Sequence, residues 1–344
     1  MIGIRVDSNE TIAMGHIMRC MSIAEQMRDK PLFICSEITS ANIVRDREFE
    51  CVCLENNYNE KEQEIDMLLD IIDTYSITVL IIDSYSVTDY YLKALHKRVK
   101  LIYIDDLNSF KYDVDMVLNY TYDTKNDIYN RWNYSNVRFL IGSKYVPLRK
   151  QFEQEAITIK DDVKSIFLTT GGTDEFHIIL GLIEQLIKRK YAIHIVLGKY
   201  YADKSALEEC VSNMSNIKVY SNVSEIAEIM KKSDIAISAG GTTLAELASL
   251  GIPTICFSVA DNQVPGTTSY DKNGLMIYAG DVRRDRKTVI DNIIQNIDII
   301  SKDINMRKEM ARKMQENFDG KGAKRVAEEI EKYINTYKEF ELRK

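Results

Sequence analysis

Short, nearly continuous apolar runs alternate along this chain with longer stretches in which apolar residues recur at helical spacing. In the first half the runs predict strands at Ile2–Val6, Leu32–Cys35, Cys51–Leu54, Thr78–Ile82, Leu101–Ile104 and Met116–Leu118. Helical patterns fall at His16–Arg28, Glu60–Thr74 and Tyr90–Lys97. In the second half strands are expected at Ser165–Thr169, Ala192–Leu197, Ile217–Tyr220, Asp234–Ser238, Thr254–Phe257 and Leu275–Tyr278. Helices are expected there at Phe176–Arg189, Ala206–Met214, Val223–Lys231 and Thr243–Leu250. A strand that is apolar on both faces must be covered on both faces. Strand–helix alternation supplies that cover, so the pattern predicts an α/β chain with buried parallel sheets.

The pattern runs through twice, and 344 residues exceed what one compact core accommodates. The join falls in the charged segment Arg149–Lys164, after Pro147. The expected organisation is two Rossmann-like domains facing each other across a cleft, at 1–150 and 151–322, with a helical extension at 323–344. From about Arg283 the chain reads as charged helix, including Met306–Phe318, a stop at Gly320 and Gly322, and a last helix from Lys324.

Composition narrows the function classes. Lys and Arg number 45 against 52 Asp and Glu, a net charge of −7, which speaks against a nucleic-acid binder with a broad basic face. No apolar run is long enough for a membrane span, and MIGIRVD does not begin a secretory signal, so a cytoplasmic enzyme is expected. The six cysteines (Cys20, Cys35, Cys51, Cys53, Cys210 and Cys256) form no CxxC pair and have no histidine at ligand spacing. They read as reduced thiols, most of them buried, and neither a metal site nor a cofactor is expected.

Chemistry concentrates at the carboxyl ends of predicted strands, where doubly wound sheets bind ligands. The first strand ends in Arg5-Val6-Asp7, and a polar loop from Ser8 leads to Gly15 and His16 at the start of a helix. This loop has no GxGxxG, which disfavours a dinucleotide site. The helix dipole disfavours the protonated imidazole, and a neutral ring is able to accept a proton. Asp7 is placed to orient that ring or to meet sugar hydroxyls, and Arg5 or Arg19 to balance phosphate or hold Asp7. A capping or packing role for His16, and a structural Arg5–Asp7 ion pair, explain the same residues.

In the second half, Ser238-Ala239-Gly240-Gly241-Thr242-Thr243 links a strand to a helix that carries Glu246 one turn in. Glycines admit close backbone approach, and free N–H groups at a helix start suit a diphosphate. Glu246 is placed to accept hydrogen bonds from ribose hydroxyls. Asn262 and Gln263, past the next strand, offer amides to sugar hydroxyls or acetamido groups. Gly171-Gly172-Thr173-Asp174 forms a second Gly-rich turn, with Asp174 a plausible helix cap.

These motifs, together with Met18-Arg19-Cys20, Ile82-Asp83-Ser84-Tyr85, Ile104-Asp105-Asp106 and Gly142-Ser143-Lys144-Tyr145-Val146-Pro147-Leu148-Arg149, run in one order over about residues 1–280. As a set the chain resembles the PseG family, the UDP-2,4-diacetamido-2,4,6-trideoxy-β-L-altropyranose hydrolases of pseudaminic acid biosynthesis, and their SpsG-type spore-coat relatives. The resemblance implies a MurG-like fold of the GT-B type. It implies that His16 activates water, which displaces UDP at the anomeric carbon with inversion and without a metal. It places the uridine diphosphate at Gly240, Gly241, Thr242, Thr243 and Glu246. It adds Asp83 and Tyr85 to a substrate set of Arg5, Gly15, Arg19, Gly171, Gly172, Asn262 and Gln263. The implied partner is a small nucleotide-sugar, bound by a monomer. The chain departs from the family at Ala13-Met14, where a Gly-rich stretch usually precedes Gly-His, and in its longer segment after about residue 283. Both departures bear on the identity of the sugar. The alternative is a glycosyltransferase of the same fold, with an acceptor hydroxyl in place of water.

Overall fold

The computed structural model describes residues 1–7, 14–153 and 155–341. The polar loop therefore lies outside the described residues from Ser8 to Ala13. The chain divides into two compact units, Met1–Arg149 with Lys321–Lys344, and Lys150–Gly320.

The first unit runs β1 (Ile2–Val6), α1 (Gly15–Ala24), β2 (Leu32–Cys35), α2 (Ile38–Arg45), β3 (Cys51–Cys53), α3 (Ile65–Thr74), β4 (Val79–Asp83), α4 (Asp89–His96), β5 (Lys100–Ile104), β6 (Met116–Asn119) and β7 (Arg138–Ile141). All seven strands are parallel, in the order β3-β2-β1-β4-β5-β6-β7. One face of the sheet packs on α1, α2 and the last helix of the chain, the other on α3 and α4. Helix α2 and strand β7 were not expected. The eight residues of α2 bury only Ser40, Ala41 and Val44. Strand β7 is an edge strand whose only fully buried residue is Leu140, so it lacks the all-apolar signature of its neighbours.

The second unit runs β8 (Ser165–Thr169), α5 (Ile178–Leu186), β9 (Ala192–Leu197), α6 (Lys204–Val211), β10 (Ile217–Ser221), α7 (Ile226–Met230), β11 (Ile235–Ala239), α8 (Thr242–Ser249), β12 (Thr254–Ser258), α9 (Val264–Lys272), β13 (Ile277–Asp281), α10 (Arg286–Lys302) and α11 (Ile304–Asn317). Its six parallel strands lie in the order β10-β9-β8-β11-β12-β13. Helix α9 follows directly on Asp261-Asn262-Gln263, with Pro265 in its first turn, where proline's missing N–H costs no helix bond.

The last helix, α12 (Gly322–Glu341), returns to the first unit. Val326, Ala327 and Ile330 complete the core beside α1. A polar latch holds the same helix: Tyr333 donates its hydroxyl to Asp115 Oδ1 at 2.8 Å. Asp115 also accepts from Lys100 Nζ at 3.1 Å and the Leu101 N–H at 2.9 Å. His96 sits between carboxylates, Nδ1 on Asp113 and Nε2 on Asp115, each at 2.9 Å. Burial alone would raise the Asp115 carboxyl, but His96 and the other donors outweigh it and bring it to about 2. The Asp115 bond leads in raising the His96 imidazolium above its ordinary value.

The sign of the pH dependence follows. The His96 contribution is full below about pH 6.5 and is lost as pH rises through the elevated value. The Asp115 contribution is full above about pH 4 and is lost as pH falls toward the depressed one. Asp115→Asn should therefore destabilise the first unit by about 1–2 kcal/mol between those limits, and by less at pH 8. Thermal unfolding of both proteins across pH checks this. A difference that grows above neutral pH would contradict it. Among the described residues, no helix is long and apolar enough to cross a membrane.

Candidate active site

Strand order reverses direction between β1 and β4 in the first sheet and between β8 and β11 in the second. Connections diverge at such a point and open a crevice at the carboxyl ends, the usual ligand site of an open α/β sheet. In the first unit β1 and β4 are in register with Val6 beside Asp83. His16 stands in the first turn of α1, above the end of β1, and Asp83 closes β4.

The two side chains meet there. His16 Nδ1 lies 2.6 Å from Asp83 Oδ1, and both groups are buried. A carboxylate only accepts, so Nδ1 is the donating nitrogen of this pair, and in the neutral ring Nε2 is the one that presents a lone pair. Among the described residues nothing hydrogen-bonds Nε2. Arg19, one turn along α1, donates Nε to Asp83 Oδ2 at 2.6 Å and Nη2 to Asp83 Oδ1 at 2.5 Å. Burial pushes the Asp83 carboxyl up, but Arg19 and then His16 outweigh it and hold it well below the usual carboxylate range. The aspartate therefore stays ionised beside the imidazole, which fixes the ring's tautomer and orientation.

A second carboxylate shares Arg19. Asp106, just past β5, accepts from Arg19 Nη1 at 2.9 Å and from the Tyr85 hydroxyl at 2.9 Å. Tyr120 bonds Arg19 Nη1 as well. The Tyr85 ring stands edge-on to His16, with centroids 4.6 Å apart and planes at 86°. Asp106 and Tyr120 are site residues that the reading of single motifs did not select. The signal available was the Asp105-Asp106 pair at a strand's carboxyl end, and only Asp106 faces the site. Asp105 is buried on Tyr112, at 2.8 Å, and Tyr129, at 2.5 Å.

It is Asp83, not Asp7, that meets the imidazole. Asp7 sits in a separate buried network. Its Oδ2 accepts from Arg5 Nη1 at 2.6 Å and Lys61 Nζ at 3.1 Å, and its Oδ1 from the Ser36 N–H at 2.6 Å. Arg5 is fully buried and also grips Glu64 through Nε at 2.8 Å and Nη2 at 2.7 Å. With these partners Arg5 has no face toward a ligand, and Asp7 anchors the start of the loop that leads to Gly15 and His16.

In the second unit Gly240 and Gly241 follow β11, and Gly241 has φ +132°, a conformation that favours glycine. A Cβ on Gly240 would lie 2.7 Å from Gln263 Cβ, so this glycine lets the Gln263 segment close in. Gln263 Oε1 in turn accepts the Val259 N–H at 2.9 Å. Helix α8 thus opens at Thr242 with Gly241, Thr242 and Thr243 accessible and Glu246 buried one turn on. Asn262 is exposed beyond β12. Gly171, φ +85°, and Gly172 follow β8 on the other side of the reversal point. Asp174 caps α5, accepting from the Ile178 and Ile179 N–H groups, each at 2.9 Å. The second unit thus presents accessible backbone amides and hydroxyls at the carboxyl ends of its strands, and the first unit, taken by itself, an oriented imidazole at the carboxyl ends of its own. Among the described residues, no group of three or more His, Cys, Asp or Glu side chains is placed to hold a metal ion.

Residues 166–326 match the glycosyltransferase family 28 C-terminal domain. An uncharacterised protein of Methanocaldococcus jannaschii is 28% identical over 74% of this chain, which spans 54% of that relative's length. The spore coat polysaccharide biosynthesis protein SpsG of Bacillus subtilis is 24% identical, covering 81% of this chain and 83% of its own. The UDP-2,4-diacetamido-2,4,6-trideoxy-β-L-altropyranose hydrolase of Campylobacter jejuni is 26% identical over 78% of this chain and 96% of its own. Among solved structures, MurG of Acinetobacter baumannii superposes with a TM-score of 0.68 at 11% identity, covering 96% of this chain and 99% of that one. The fold is therefore the two-domain α/β fold of the GT-B type, with a helical C-terminal stretch.

Proposed function

Starting from a chain that is a relative of the SpsG protein and the altropyranose hydrolases, we propose that it hydrolyses a UDP-activated diacetamido-trideoxy sugar at the anomeric carbon. The products are UDP and the free sugar, for a nonulosonic acid or surface polysaccharide. The observation that carries this reading is the buried His16–Asp83 pair at 2.6 Å, with no hydrogen bond to Nε2 among the described residues.

A nucleoside diphosphate is a good leaving group once its charge is met, so no covalent intermediate is needed. Water deprotonated by His16 Nε2 attacks the anomeric carbon and the bond to the diphosphate oxygen breaks, with inversion and without a metal. Asp83 and Arg19 position the base. Arg5 and Asp7, which the motif alone nominated for substrate and catalysis, hold the strand end from which the His16 loop departs. The N–H groups and hydroxyls at Gly241, Thr242 and Thr243, with the α8 dipole behind them, receive the diphosphate. Gly240 shapes that turn, and Glu246 is assigned to the ribose. Gly171 and Gly172 border it, and Asn262 with Gln263 is assigned to the sugar's polar groups. Gly15 sets the approach to His16, and Tyr85 borders the base. The enzyme works as a cytoplasmic monomer without a cofactor.

The match to a glycosyltransferase domain favours one competing reading, transfer of the sugar to an acceptor hydroxyl. Incubation with UDP-activated diacetamido sugars in ¹⁸O-water separates the two. Label in the free sugar, with UDP released in the absence of acceptor, is the expected result. UDP release only when an acceptor is added would assign transfer.

A further inference from the structure

Three thiols at one side of the first sheet take no part in this chemistry. Cys35 ends β2, and Cys51 and Cys53 bound β3. The register sets Cys35 beside Cys53 and Phe33 beside Cys51, and all three sulfurs point into the same core face. The Cys51 and Cys35 Sγ atoms lie 3.6 Å apart. Cys35 is fully buried, whereas Cys51 is half-buried in the edge strand. Arg45, at the end of α2, donates Nη2–H to the Cys51 carbonyl at 2.9 Å.

We propose that Cys51 and Cys35 form a thiol–disulfide exchange site that takes low-molecular-weight disulfides. The Cys51 thiolate attacks one sulfur of the small disulfide, forming a mixed disulfide and releasing one thiolate. Cys35 then loses its proton and its sulfur attacks Cys51 Sγ, releasing the second. Two protein thiols are oxidised and one small disulfide is reduced to two thiols. The Cys35 contact, and then the Arg45 charge, hold the Cys51 thiol below its ordinary value, which favours it as the attacking group. The same contact and burial push the Cys35 thiol up, which suits a resolving group shielded until the first step has occurred. Bond formation brings the sulfurs from 3.6 Å to about 2.05 Å, which requires β3, a three-residue edge strand paired in the sheet only to β2, to shift toward Cys35. The bridge would act directly on Ser36, whose N–H holds Asp7 at 2.6 Å.

The test oxidises the folded full chain with glutathione disulfide, blocks remaining thiols with iodoacetamide, and maps unreduced peptides by mass spectrometry. The expected product is a Cys35–Cys51 linked peptide that dithiothreitol removes. Cys35→Ser should accumulate a stable glutathione adduct on Cys51, and Cys51→Ser should leave Cys35 unmodified. Since a buried serine strains folding, Cys35→Ala is run beside it, and the map of the unsubstituted chain decides if neither folds. Alkylation of Cys51 in the native chain should run roughly tenfold or more ahead of Cys35. A Cys35–Cys53 link, a lasting mixed disulfide on Cys51 in the unsubstituted chain, or no oxidation at all would overturn the proposal.

Discussion

His16→Ala is expected to lower turnover of the proposed UDP-sugar substrate by about 10³-fold while leaving the melting temperature and the Michaelis constant close to those of the parent. The substitution removes the acceptor nitrogen but leaves Asp83 paired to both Arg19 nitrogens, so no buried charge is stranded. Asp83→Asn should reduce turnover as well, by another route. Its amide nitrogen can donate to Nδ1, which moves the ring proton to Nε2 and turns the base into a donor. Steady-state kinetics on both variants, with circular dichroism to confirm folding, checks the pair. Full turnover by His16→Ala would remove this residue from the base role.

Arg5→Met is expected to act on stability, costing about 3–5 kcal/mol, because it leaves Asp7 and Glu64 buried with one cation between them in place of two. Burial alone would raise both carboxyls, but Arg5 leads in holding each of them below its ordinary value. Denaturant unfolding of the first unit measures the loss. A variant with parental stability and a raised Michaelis constant would instead place Arg5 on the substrate.

The contrast between Asp83, which meets His16, and Asp7, which pairs with Arg5, marks how far the sequence could be read. Nearly all strands were legible, because buried parallel strands are apolar throughout and bounded by polar turns. Strand β7 and helices α2 and α9 escaped, since the strand is a half-buried edge, α2 packs through only three buried residues and α9 through two. The motifs were correctly assigned to the carboxyl ends of strands, where a polar residue follows an apolar run. Which carboxylate meets His16 was not legible. Asp7 is the near neighbour along the chain, whereas Asp83 arrives only because β4 pairs with β1. Strand order is a property of the packed sheet and leaves no trace in periodicity. Asp106 entered the site in the same way, through its bond to Arg19.

The return of α12 to the first unit has a consequence for biosynthesis. Lys150–Gly320 is an unbroken stretch, whereas the first unit waits for α12, which the ribosome makes only after that stretch. At about 5–20 residues per second, that interval is on the order of 10–35 seconds. Throughout it, the seat of Val326, Ala327 and Ile330 beside α1 remains an open apolar surface on the nascent chain. The unit that holds His16 is therefore completed only after Lys150–Gly320 has been made, and its open core face is what chaperones and proteases meet in that interval.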